Sequence, residues 1–535
     1  MERIAIIDLG SNSIRFIIMQ IGEHGAYKLI YQEKKSIRLA EGMTLTSRLL
    51  TEEAQQRALS CLAVYSHIIE VQKIKKVLAV ATAAVRNAIN GASFLKRVRM
   101  STGIPMTIIS GKAEAALGFS GVSHTIDQKD FLLFDLGGAS IEISLVKNKK
   151  RIHSISIPIG AVTLTEMFQS SREVNQDKIE TIQRFIQNVL SKVEWFPSEP
   201  LPVIGIGGTV RNLAKIHQRA VNYPLPKLHN YRFTVEDVFE EVRMITGKSY
   251  EERQKISGLS SERADIIIAG ALVIQEILRK AKASYLTISG CGLREGLFFH
   301  YYDPIYDKNG DKQHDMLRCS VQNYLDTLPI TYDFHTKYVT ATALAMFDQW
   351  QKVHKLDPRM RDILAAAARL HDIGNLINYY SHARHSCYMT ANAHIFGWTH
   401  SEQVMCALIC AFHHGYSGKY LKANGQAHIL TAAQMRQVRI SPSSLPWRKA
   451  SMKVRSTASP VSSVPPTRLR WILRVYTDRE NFDVPAHATA SLVKDFEKHS
   501  IFPCASSGSL EAATGMSSSK QHKSYEKAGT IRDEG

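Results

Sequence analysis

The chain opens with two apolar runs, residues 3–8 and 14–21, joined by a short polar stretch around Gly10, Ser11, Asn12 and Ser13. Runs of this length around a glycine-containing turn predict a β-hairpin. The first run ends on an acid, Asp8. Residues 131–146, FLLFDLGGASIEISLV, repeat the order: an apolar run, Asp135, a turn through Gly137, Gly138, Ala139 and Ser140, then a second apolar run. Elsewhere the period changes. Residues 51–75 space their apolar side chains helically behind Thr51, a capping residue followed by Glu52 and Glu53. A strand is expected at 77–82, one helix over 83–100, a strand at 104–110 and a helix starting at 111–119. A helix at 176–194 precedes a strand and glycine loop at 201–209. Strands alternating with helices imply α/β layers. The repeated hairpin predicts a duplicated α/β fold with a cleft between two lobes, 1–125 and 126–302.

Near residue 300 the texture turns helical and histidine-rich, which predicts a separate all-α domain over 313–433. Residues 434–466 hold Ser, Pro, Arg and Lys without a period, and pattern returns over 471–498, in ATASLVKDFEKH for example. From 499 the chain is rich in Ser, Ala and Gly. Residues 434–535 are therefore expected to be irregular and partly disordered, as an insert or a disturbed reading frame.

Composition narrows the class. A chain of 535 residues exceeds one core, and 44% hydrophobic with 22% charged residues is ordinary for a globular protein. No apolar run is long enough to span a bilayer, and no leader-like segment precedes the first strand, so no membrane partner is expected. Seven cysteines without a CxxC pair predict reduced thiols in a cytoplasmic protein, not a disulfide frame or a cysteine zinc site. The net charge is +18, and residues 434–470 carry eight Lys/Arg with no Asp/Glu. The excess that remains on the rest suits a polyanionic partner; no sequence-specific nucleic-acid contact is expected.

The two acid–glycine turns carry chemistry. Glycines let backbone N–H groups approach phosphate oxygens, and Ser11, Asn12, Ser13 and Ser140 add short side-chain donors. Asp8 and Asp135 repel phosphate directly but can hold Mg²⁺, itself or through water, and the ion then bridges to phosphate. A third loop, Gly205-Ile206-Gly207-Gly208-Thr209, has the same character. Together they predict one phosphate chain clamped between two lobes.

DLGSNSIR (8–15) and DLGGASIE (135–142) resemble the phosphate loops of the actin/Hsp70/sugar-kinase superfamily. The whole order is closer still to the exopolyphosphatase / guanosine pentaphosphate phosphohydrolase (Ppx/GppA) family: DLGSNS, ATAAVRNA (81–88), ISGKAEAALGF (109–119), DLGGASIE, GIGGT (205–209) and SGCGLREGLFF (289–299). The resemblance implies a duplicated ribonuclease-H-like, actin-like N-terminal part followed by an HD-like helical domain. It implies Glu114 as the base that activates water and Arg86 as a phosphate-binding arginine. Asp8, Asp135 and Glu142 would be acids of the metal site, and Ser11, Asn12, Ser13, Gly137, Gly138, Ser140, Gly207, Gly208 and Thr209 phosphate-loop positions. The implied cofactor is Mg²⁺, or Mn²⁺ in its place. The implied substrate is inorganic polyphosphate or guanosine pentaphosphate, and relatives form homodimers. Two positions depart from the family: Ala113 stands where an acid is usual, and Ala139 where a third glycine is usual, its Cβ expected to crowd a phosphate or force another φ.

A long basic chain favours the polymer as substrate, since a long anion needs a long groove. A sugar or acetate kinase of the same superfamily is opposed by Arg86 and the SGKAEA stretch, which suit attack by water. A non-catalytic polyphosphate or alarmone sensor, whose sign would be tight binding with no phosphate release, is the alternative of another class; the enzyme is favoured because the proposed base, arginine and acids are all present. In the helical part, LHDIG (370–374) resembles the signature of HD-type metal phosphohydrolases. His335, His371, Asp372, His394 and His413 are the expected members of a vestigial site, since a further acid from a later helix near 435–465 is missing. Polyanion binding along a basic groove is this domain's expected role.

Overall fold

In the computed structural model the described residues are 1–441, apart from 44–47, 173, 308–309, 311–314, 331–333 and 414–416, together with the strands Met452–Thr457, Arg468–Thr477 and Ala528–Arg532. The stretch ATASLVKDFEKH lies outside them. The chain divides into two compact units, Met1–Asn323 and Tyr324–Gly535.

The first lobe of the N-terminal unit holds β1 (Glu2–Leu9), β2 (Ser13–Ile21), β3 (Tyr27–Ser36), α1 (Glu52–Val71), β4 (Lys76–Ala81), α2 (Ala83–Asn87), α3 (Gly91–Thr102), β5 (Met106–Ile108) and α4 (Gly111–Ser123). The second holds β6 (Phe131–Leu136), β7 (Ile141–Lys147), β8 (Lys150–Ile157), α5 (Ala161–Met167), α6 (Gln176–Ser191), β9 (Val203–Gly207), α7 (Gly208–Ala220), β10 (Arg232–Thr234), α8 (Val235–Thr246), α9 (Tyr250–Gln254), α10 (Ile267–Lys280) and β11 (Tyr285–Ile288), and α11 (Leu293–Tyr306) follows. The sheets run β3-β2-β1-β4-β5 and β8-β7-β6-β9-β11-β10. In each, an antiparallel hairpin meets a parallel strand reached by a helical crossover. The duplication expected from the two hairpins is thus present in the strand order, as an actin-like α/β fold.

Each sheet buries apolar residues on both faces, as parallel strands under helices do. Ile7, Phe16, Leu62, Tyr65 and Phe94 centre the first core, and Phe134, Ile143, Leu213, Leu272 and Ile274 the second. Local chemistry sets the helix starts: the Thr51 hydroxyl accepts from the Ala54 N–H at 3.2 Å, and the Ser110 hydroxyl from the Ala113 N–H at 3.2 Å. The single helix expected over 83–100 is two, because the chain turns extended at Ala88 and a new helix starts at Gly91 behind Asn90. Gly91 packs on the Val85 carbonyl, where a Cβ would stand 2.1 Å from the oxygen.

Two helices change sides. α4 precedes the second hairpin in sequence, yet Val122 packs with Leu133, Val146 and Ile206 of the second sheet. α11 ends the second lobe, yet Leu297 and Phe298 pack on Ile4, Ile6 and Ile17 of the first. They touch backbone to backbone: a Cβ on Gly121 would lie 2.2 Å from the Gly292 carbonyl oxygen, and one on Gly296 1.9 Å from that of Leu117.

Beyond α12 (Met316–Asp326), the C-terminal unit contains α13 (Phe334–Gln349), α14 (Gln351–His354), α15 (Arg359–Leu370), α16 (His382–Asn392), α17 (His400–Phe412), α18 (Gly418–Ala423) and α19 (Ala432–Ile440). Helix α19 runs into the first residues of the 434–466 stretch expected to be irregular. Thr431 and Gln434 form a reciprocal capping box that starts it. Met452–Thr457, Arg468–Thr477 and Ala528–Arg532 pair antiparallel in one small sheet. No helix among the described residues is long and apolar enough to cross a membrane.

Candidate active site

Both hairpin turns close the same way. Gly10 N–H donates to the Ser13 carbonyl at 3.1 Å, and Gly137 N–H to the Ser140 carbonyl at 3.0 Å. Each turn therefore presents its polar residues at the end of a buried strand. The β9–α7 junction brings a third loop to the same place. Gly207 sits at φ +122°, where a Cβ would also stand 2.4 Å from the Leu136 oxygen, so only glycine fits. The N-termini of α7 and α11 open onto the cleft through Gly207, Gly208, Gly292 and Leu293, and unsatisfied helix-start N–H groups attract anions.

The cleft brings together most of the residues expected from sequence: Asp8, Ser11, Asn12, Ser13, Glu114, Asp135, Gly137, Gly138, Ser140, Gly207 and Gly208 all line it. Glu142 and Arg86 stand one contact behind. Ser140 and Ser156 hydroxyls donate to Glu142 Oε1 at 2.8 and 2.7 Å. Arg86 Nη1 donates to Glu114 Oε2 at 2.8 Å and to the Ile109 carbonyl at 2.9 Å. Thr209 is not among the lining residues; it is buried in α7, its hydroxyl without a hydrogen-bond partner among the described residues. Ala139 does not crowd the cleft either. It is buried, is absent from the lining, and is not among the residues of positive φ.

Arg15, Arg211, Arg263, Arg294 and Glu295 also line the cleft and were not singled out from sequence. Arg15 follows Asp8 by the seven residues that separate Glu142 from Asp135, a spacing that could have found it. Arg294 lies inside SGCGLREGLFF. Arg211 and Arg263 carry no local signal. The Arg263 guanidinium lies so close over Gly208 that a Cβ there would meet its Nη2 at 1.9 Å.

The electrostatics are those of a site built for ions. Burial pushes Asp135 up to about 6, against the pull of Arg15. Burial and then Asp135 push Glu142 up to about 7. Glu114 is raised well above the ordinary carboxylate range by burial and by Glu142, against Arg86. Asp8 is raised by burial, opposed by Arg15. Arg211 is lowered by burial and by Arg15 and Arg294, and Arg263 by burial and Arg15. Like charges are thus gathered out of water on each side, an arrangement that a cation relieves on the acid side and a polyanion on the arginine side. Asp8, Asp135 and Glu142 do not bring three oxygens within 4.8 Å of one another. Hard oxygen donors without a closed cage suit Mg²⁺, which keeps several waters and takes one or two carboxylates plus phosphate oxygens.

In the C-terminal unit the structure gathers His335, His371, Asp372 and His413 of the expected set, and adds His382. His394 is exposed and outside the cluster.

Residues 17–305 match the Ppx/GppA phosphatase family, and residues 319–439 match Ppx/GppA phosphatase, domain III. Among solved structures, an exopolyphosphatase from Cytophaga hutchinsonii is 25% identical with a TM-score of 0.53, over 57% of this chain and 99% of that one. The Aquifex aeolicus Ppx/GppA family member is 29% identical, with a TM-score of 0.49, over 58% and 99%. An exopolyphosphatase-like protein shares the fold at 22% identity and a TM-score of 0.52, over 56% and 97%.

Proposed function

We propose that this chain, which belongs to the Ppx/GppA phosphatase family, is a Mg²⁺-dependent exopolyphosphatase that hydrolyses the terminal phosphoanhydride of inorganic polyphosphate. The observation that carries the reading is the Arg86–Glu114 pair at 2.8 Å, set at the edge of a cleft with buried acids and buried arginines. Glu114 takes a proton from water as the water oxygen bonds to the terminal phosphorus. The bridging P–O bond breaks, and its electron pair leaves on the shortened polymer. Arg86, behind the cleft, holds the Glu114 carboxylate in place and adds positive charge close to the transferring phosphoryl group. Arg15, Arg211, Arg263 and Arg294, with the two helix N-termini, offset charge on the non-bridging oxygens, the main requirement of phosphoryl transfer. Asp8, Asp135 and Glu142 would hold Mg²⁺, which when bound supplies further positive charge at the phosphate. The uneven clamp suits a linear polyanion: loop donors from both hairpins grip one end of it, and the formal charge of +18 favours its approach.

Orthophosphate release from long-chain polyphosphate with Mg²⁺, in parallel with guanosine pentaphosphate, tests this. Glu114→Gln is expected to lower release by roughly 10²–10⁴-fold, the usual contribution of a general base. Release from the nucleotide alone would move the chain to the pentaphosphate reading. Tight polyphosphate binding with no release, by folded protein, would make it a sensor.

A further inference from the structure

Arg38 is held in a conformation that an arginine rarely adopts. Its φ is +46°, in the left-handed region that favours glycine and asparagine. Its neighbours show what fixes the backbone there. Ile37, Leu39 and Ala40 are buried in the first core. The N–H groups of Ile37 and Arg38 both donate to the Asn12 carbonyl, at 3.1 and 2.9 Å, and the Ala40 N–H donates to that of Ser11 at 2.9 Å. From the other side, Arg57 Nε donates to the Ile37 carbonyl at 2.8 Å and Arg57 Nη2 to that of Arg38 at 3.2 Å. The segment is thus fastened to the first phosphate loop by backbone bonds, and Arg38 is the residue it turns away from the core.

That side chain crosses to the second lobe. Arg38 Nη1 lies 2.9 Å from Asp265 Oδ2, and Nη2 lies 3.5 Å from the Glu262 carbonyl oxygen. Between those two residues stands Arg263, whose guanidinium lies over Gly208 in the cleft. Arg263 is buried, and its side chain makes no hydrogen bond or ion pair of its own among the described residues. Arg15 presses on it with like charge. The 3₁₀ turn that carries it, Ser261–Arg263, is short, and contacts at its two ends place it. At one end the Ser260 N–H donates to Asn212 Oδ1 at 2.8 Å; at the other Arg38 grips Asp265. Lys34 Nζ also reaches Glu262 Oε2, at 3.2 Å, but Glu262 is exposed where Asp265 is largely enclosed, and exposed pairs hold little.

We propose that Arg38 is a positioning residue of the cleft. Anchored on the Ser11–Asn12 loop, it grips Asp265 and so holds the Arg263 turn in place, which keeps the Arg263 guanidinium over Gly208 to meet a phosphate oxygen. The last step rests on the polyphosphate reading above; the grip itself does not. An arginine suits the task because its planar fork can engage the carboxylate and the neighbouring carbonyl together. One side chain thereby fixes the spacing between loop donors of the first lobe and a cation of the second.

Two measurements on the full chain separate the grip from its use. Without substrate, amide hydrogen exchange across residues 260–266 reads the grip. Arg38→Asn tolerates the left-handed backbone but is too short to reach Asp265, and Asp265→Asn keeps the shape while removing the charge. Each is expected to speed exchange there by roughly tenfold, as loss of a charge-assisted hydrogen bond would, with α1 unchanged. Unchanged exchange in either variant would overturn the proposal whatever the substrate. With inorganic polyphosphate and Mg²⁺, Arg38→Asn is expected to raise KM by about tenfold and leave kcat within about twofold. Placed on top of Arg263→Ala, it should raise KM by less than about twofold more, since its effect runs through that arginine; fully additive losses would overturn the proposal. Lys34→Ala is expected to move KM by less than about twofold, and a loss equal to that of Arg38→Asn would reduce Arg38 to a general surface charge and overturn it too. If the wild-type chain neither binds nor hydrolyses polyphosphate, the polyphosphate reading falls, and the exchange measurement alone decides the role of Arg38.

Discussion

The two hairpins at the cleft share strand order, turn bond and a terminal acid, and differ at the residue facing that acid. Across the first hairpin Asp8 pairs in register with Arg15; across the second, at the matching position, Asp135 pairs with Glu142. Arg15 Nη1 reaches Asp8 Oδ2 at 3.9 Å, so the first jaw is internally balanced. The second carries two acids, Asp135 pushing Glu142 up, and Glu114 adds a third nearby. We read this as a division of labour within one duplicated scaffold: an acid–arginine pair on the first jaw and a pair of acids on the second.

Changing the two facing residues separates the jaws most strongly. Glu142→Gln is expected to weaken the Mg²⁺ requirement curve by roughly 10–100-fold, the range for a disturbed metal site, and added Mg²⁺ should restore much of the rate. Arg15→Gln should instead raise KM for polyphosphate by roughly tenfold, as loss of a charge-assisted hydrogen bond would, with no rescue by Mg²⁺. Phosphate-release kinetics over a Mg²⁺ series read both, and identical responses in the two variants would erase the division of labour.

A smaller effect sharpens the comparison through pH. Asp135 and Glu142 have native values of about 6 and about 7, above their unfolded ones. The native state then holds more protons than the unfolded chain between those limits, so stability falls as pH rises through that window. Without Mg²⁺, melting temperature is expected to fall from pH 5 towards pH 8. Mg²⁺ should recover more of it at pH 8 than at pH 5, measured by thermal melts. The smallest effect belongs to Ala139→Gly. Since Ala139 faces away from the cleft, the change is expected to leave phosphate release alone and move stability by no more than about 1 kcal/mol.

The hairpins and their acids were legible because both are local: an apolar run, an acid and a glycine turn lie within a dozen residues. Arg211 and Arg263 were not, because Arg211 sits in a helix and Arg263 in a short 3₁₀ turn, and each meets the cleft only once the second lobe has folded. Thr209 misled for the opposite reason. It continues a glycine loop in sequence, but the helix that begins at Gly208 turns its side chain inward. The capping box at Thr431 was readable and was overridden by the Ser/Pro-rich text that follows it. His382 stood inside a quoted histidine run; only the turn of α16 beside His413 separates it from His394, which points elsewhere.

The exchange of α4 and α11 between the sheets has a mechanical consequence. Where two backbones meet with no side chain between them, as at Gly121–Gly292 and Gly296–Leu117, the joint behaves as a pin. The two helices hold their sheets at a spacing that leaves no room for a side chain between them. Glu114 rides on one arm and Arg294 on the other, so the spacing at this joint sets the gap between base and arginine as a pin sets the jaws of pliers. One side chain added at the pin, Gly296→Ala for instance, would prop the pliers open without touching either tip.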